Sequence, residues 1–71
     1  MGEIHPEVAQ ELMSIGHAYY DCRLYSQALL FYQNAYVTYR LFGLTDKHPS
    51  VIQVLLDMDD AEVLFSENQE D

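Results

Sequence analysis

Apolar residues recur at spacings of three and four along most of this chain, the pattern of helices that each bury one face. Val8, Leu12, Ile15 and Tyr19 form one such stripe. Pro6, just ahead of them, suits the first turn of a helix, where its missing N–H would have no partner. Glu7 adds a negative charge at the positive end of the helix dipole. The pattern predicts a first helix over residues 6 to 21 and a turn from Asp21 to Tyr25. A second helix is predicted from Ser26, a good helix starter, to Phe42, burying Ala28, Leu29, Tyr32, Ala35, Tyr36, Tyr39 and Phe42. Gly43 then serves as a left-handed stop. A third helix, residues 49 to 65, opens at Pro49 and carries Val51, Val54, Leu55, Met58, Ala61 and Phe65 within a third of its circumference. Ile52, Leu56 and Val63 fall outside that stripe, available for partial burial, for a partner or for a second copy. Residues 1 to 66 read as one helical domain and 67 to 71 as an acidic tail expected to fray.

The chain also repeats itself. His-Pro-x-Val-x-Gln-x-Leu occurs at His5 to Leu12 and again at His48 to Leu55, 43 residues later. A period of that size points to an array of helical hairpins, in which each unit completes its core by stacking on its neighbours. Met1 and Gly2 begin the chain almost directly at the first entry, so a piece of a longer array is the expectation.

Ile15, Gly16, Tyr19, Ala28, Tyr32 and Ala35, with Leu12 where Trp or Leu is usual, stand at the spacings of the tetratricopeptide repeat signature. Gly43, His48 and Pro49 match the Gly-x-x-x-x-His-Pro connection of its longer, kinesin-light-chain or nephrocystin-like variety, which the chain resembles from residue 5 to about residue 58. The resemblance implies an all-α, α-solenoid fold: a three-helix antiparallel array of one helical hairpin plus a third, capping helix. Small Gly16 and Ala28 would allow the two hairpin helices to cross closely, with Tyr19 and Tyr32 filling the wedge beside them. Two departures stand out. Arg23 takes the place of the usual turn glycine, leaving the closure of that turn open. Stepping 43 residues from Gly16 and Tyr19 reaches Asp59 and Glu62, acids suited to a helix that faces water at the end of a stack.

Such arrays bind protein partners on an inner groove lined mainly by the first helix of each hairpin. Carried over by position, that groove comprises Gln10, Met13, His17, Tyr20 and Asp21, continued by Gln53, Leu56, Asp60 and Val63. It contains no Lys or Arg, so the carboxylate-clamping version of the function, which needs cations, does not fit. A peptide or helix with apolar anchors and basic flanks does.

Charge and composition narrow the partners further. Three basic residues against twelve acidic ones give a net charge of −9, and seven of the acids lie from Asp57 onward. That sign disfavours nucleic acid and anionic membrane surfaces. No apolar run is long enough for a bilayer span, and no basic region with an apolar core resembles a signal peptide. Cys22 is alone, which fits a reducing, intracellular and specifically cytoplasmic setting. His5 and His48 read as helix-entry residues, and His17 has no Cys or second His at ligand spacing, so no metal or cofactor is expected. No phosphate loop or catalytic signature occurs, so an enzyme is not expected. The sequence therefore reads as a protein-interaction scaffold. Two alternatives stay open: self-association that completes the stack with another copy, and a microtubule-interacting-and-trafficking-like three-helix adaptor, whose Tyr-x-x-Ala-x-x-x-Tyr character residues 25 to 32 share.

Overall fold

The structure, a computed structural model, describes residues 6–69. They form three helices and no strand: α1 (Pro6–Asp21), α2 (Tyr25–Leu41) and α3 (Pro49–Gln69). This is the expected all-α three-helix array. His5 lies outside the described residues, as do Met1, Gly2 and the last two residues of the acidic tail.

Local chemistry sets the helix ends. The His48 carbonyl accepts the first α3 hydrogen bond, from Ile52 N at 2.9 Å, and its ring Nδ1 accepts the Ser50 amide at 3.1 Å. His48 is thus the N-cap and Pro49 the first helical residue, which is the physical content of a His-Pro entry: one residue satisfies a free amide and the next has none to satisfy. His48→Ala should cost about 0.5–2 kcal/mol in a denaturant melt, while His48→Asn should retain most of the stability.

α1 and α2 stop in the same way. At the end of α2 the Gly43 amide bonds Arg40 O at 2.9 Å and the Leu44 amide bonds Tyr39 O at 3.2 Å, with Gly43 at φ 85°. At the end of α1 the Arg23 amide bonds Tyr20 O and the Leu24 amide bonds Tyr19 O, both at 2.9 Å, with Arg23 at φ 66°. Arg23 itself adopts the left-handed conformation that a glycine would take at no steric cost, so the turn keeps its geometry and stores about 1–2 kcal/mol of strain. α2 begins one residue earlier than the sequence indicates, after Leu24, with no side-chain cap; the Ser26 hydroxyl bonds Gln27 instead. α3 continues to Gln69, four residues beyond the expected end.

α1 and α2 are antiparallel and cross at Gly16. A β-carbon at that position would sit 2.6 Å from Tyr32 Cε1 and 3.4 Å from the Ala28 carbonyl oxygen. The core is a single cluster of Ala9, Met13, Ala28, Tyr32, Ala35, Tyr39, Val51, Val54 and Ala61, in which four alanines allow the backbones to approach closely. On α2 the buried face is the expected one, although Leu29 and Tyr36 are only half-buried and Phe42 is exposed at the cap. On α3 Leu55 joins the surface while Val51, Val54 and Ala61 are fully covered.

The stripe expected to bury α1 is corrected by the structure. Ala9, Met13 and Gly16 face the core, whereas Val8 and Ile15 remain 39% and 42% exposed and Leu12 and Tyr19 only half-buried. The close crossing selects the small residues, and the larger stripe is turned about a quarter of a circle away. Tyr19 consequently does not share the wedge with Tyr32; it stacks on Phe31, with ring centroids 5.4 Å apart.

α3 packs chiefly on α2 and touches α1 through polar side chains. His17 meets Asp57 at 2.9 Å and Tyr20 meets Asp60 at 2.7 Å, both pairs 40 residues apart in sequence. A constant offset means that α1 and α3 run parallel and side by side. The helical array is a slab of 45 × 25 × 15 Å, with α2 bridging two splayed neighbours.

Candidate functional site

Because α1 and α3 are splayed, a cleft of about 210 Å³ opens between the middle of α1 and the N-terminal part of α3. Its floor is apolar: Met13 of α1, Tyr39 of α2 and Val54 of α3, all part of the core. Its walls carry polar groups, Gln10, Ser14 and His17 on one side and Ser50 and Gln53 on the other. The two polar ties close its far end. His17 bridges to Asp57 Oδ2, and Gln53 donates to Asp57 Oδ1 at 3.1 Å, so one carboxylate joins both walls.

The cleft is smaller than the roughly 300–1,000 Å³ of small-molecule sites and has room for one or two side chains. It offers an apolar floor with amide and hydroxyl groups around it. No Lys or Arg lines the cleft. Among the described residues no three His, Cys, Asp or Glu side chains converge to hold a metal ion, and no helix is long and apolar enough to cross a membrane.

Four of the sequence-derived groove residues meet here: Gln10, Met13, His17 and Gln53. Met13, only 8% exposed, is a core residue whose surface happens to floor the cleft. Tyr20 and Asp60 are engaged with each other at the closed end. Leu56 and Val63 lie on the outer side of α3, away from the cleft, and Asp21 is exposed at the end of α1. Ser14, Tyr39, Ser50 and Asp57 are not among the groove residues expected from sequence. Asp57 stands four residues after Gln53 and thus on the same helix face, a signal that could have found it.

The Tyr20 hydrogen bond to Asp60, with partial burial and the negative charges of Asp60 and Asp57, pushes its phenol up from 10.0 to about 12. Burial, reinforced by the Asp57 charge, raises the phenol of Tyr32 as well. Between pH 10 and about 12 the folded chain retains protons that the unfolded chain releases, so stability falls as pH rises through that window; below it these two groups leave stability unchanged. Tyrosinate absorbance should show Tyr20 and Tyr32 titrating late, and Asp60→Asn should return Tyr20 toward its ordinary value.

No family model matches the sequence, and neither a curated protein nor a solved structure matches it.

Proposed function

We propose that this chain is a protein-interaction module, one and a half tetratricopeptide-like units, that receives a segment of another protein in the cleft between α1 and α3. The observation that carries the reading is the cleft itself, an apolar floor between two walls of polar side chains without Lys or Arg. The repeat reading draws support from parallel α1 and α3, each opened by proline, and from Gly16 lying under Tyr32 at the hairpin crossing. The His-Pro recurrence favours it over the three-helix adaptor, which gives no reason for a second entry signal. The exposed lone thiol of Cys22 is compatible with a reducing, intracellular setting.

Selection from a random peptide library, followed by amide chemical-shift mapping, tests the proposal. Selected peptides should perturb Gln10, Ser14, His17 and Gln53, and the exposed double change Gln10→Ala with Ser14→Ala should weaken them without altering the melt. Met13 is unsuitable for this purpose because its truncation also opens the core. Peptides that map elsewhere and ignore the double change would remove the cleft from consideration.

Self-association is the second reading, favoured by the exposed Val8 and Ile15 on one side of the array and Leu56 and Val63 on another. Nine net negative charges on each copy oppose it.

A further inference from the structure

We propose that the outer face of α3 is a second docking surface, independent of the cleft, for a cationic amphipathic helix of another protein. Ile52, Leu56 and Val63 are 42%, 60% and 49% exposed. Spaced by four and seven residues, they form one straight stripe, turned away from the buried Val51, Val54 and Ala61. The stripe is about 17 Å long, three turns of helix. None of its three residues lines the cleft.

Charge identifies the occupant. On the helix surface Asp60 and Glu67 border the stripe on one margin, and Asp59 and Glu62 on the other. α3 carries no Lys or Arg, and among the described residues Asp59, Glu62 and Glu67 have no hydrogen-bond or ion-pair partner. An apolar strip between two unneutralised acidic margins is complementary to a helix with leucine-like residues flanked by Lys or Arg. A second copy fits poorly, since it adds a charge of −9 and its own exposed α1 stripe stands beside Glu7 and Glu11. An extended strand fits poorly too. The side of a helix offers no free backbone groups to pair with it, whereas a helix satisfies its own and packs ridge into groove.

The test is fluorescence anisotropy of the whole chain against a labelled leucine/lysine amphipathic peptide of about 18 residues, long enough to form a helix. Two controls accompany it: one with Glu for every Lys, one with Ser for every Leu. Binding of the leucine/lysine peptide alone, weakening with salt, is the expected result. Leu56→Ser with Val63→Ser leaves the charge and the core intact, and should weaken binding roughly tenfold or more with an unchanged melt. Val8→Ser with Ile15→Ser should leave it unaffected. The proposal is overturned if the Leu56/Val63 double change binds normally, if the lysine/serine control binds as tightly, or if sedimentation shows a dimer that this double change dissolves.

Discussion

Gly16→Leu is expected to lower the stability of this chain by about 3 kcal/mol or more, the top of the range for overpacked cores. A chain of 71 residues has a total of only ~4–10 kcal/mol to lose. Even the first added carbon would come within 2.6 Å of the Tyr32 ring, and the ring is enclosed, with the His17 imidazole edge-on at a centroid distance of 5.5 Å. Something must move, and the Ala28 carbonyl 3.4 Å away on the facing helix is backbone. At 4–8 °C per kcal/mol the melting temperature should fall by roughly 12–24 °C, measured by circular dichroism. Gly16→Ala should lose less, since alanine recovers about 1 kcal/mol of helix propensity while meeting the same ring. A Gly16→Leu chain that melts like the parent would mean that α1 and α2 do not cross here.

Tyr32→Ala removes the largest fully buried side chain, the one most central to the crossing. The expected loss is about 3–5 kcal/mol, enough to abolish a cooperative transition if the parent lies at the low end of the range for its length. Tyr32→Phe keeps the ring against Gly16 and separates packing from the hydroxyl. The two large changes should not add. Leucine at position 16 would occupy part of the space left by the ring, so the double variant should be more stable than the sum of the single losses implies, by ~1 kcal/mol or more. Strict additivity would place the two residues out of contact.

What could be read from the sequence depended on how local the signal was. Pro6, Pro49 and Gly43 act through their own backbone and marked helix ends that the structure places within a residue or two. The buried face of α2 was legible because Ala28, Tyr32, Ala35 and Tyr39 offer one coherent stripe. α1 offers two. Hydrophobicity favours Val8, Leu12, Ile15 and Tyr19, but the separation of the helix axes is decided by Ala9 and Gly16, whose small size is invisible to a count of apolar residues. Arg23 shows the opposite limit: the hydrogen-bonding pattern of the stop overrides the steric preference of the residue filling it. Gln10, Met13, His17 and Gln53 line one cleft because helix phase places them on the facing sides of α1 and α3. Leu56 and Val63 lie away from the cleft because their position depends on how far apart and at what register α1 and α3 lie, and α3 takes its bearing from α2.

That register differs from the sequence period. The motif recurs after 43 residues, yet the polar ties join residues 40 apart, so α3 is slid along α1 by three positions, about 4.5 Å. The consequence is an oblique slab: packing on α2 sets the slant of α3, and the Asp57 and Asp60 carboxylates fasten that slant to α1.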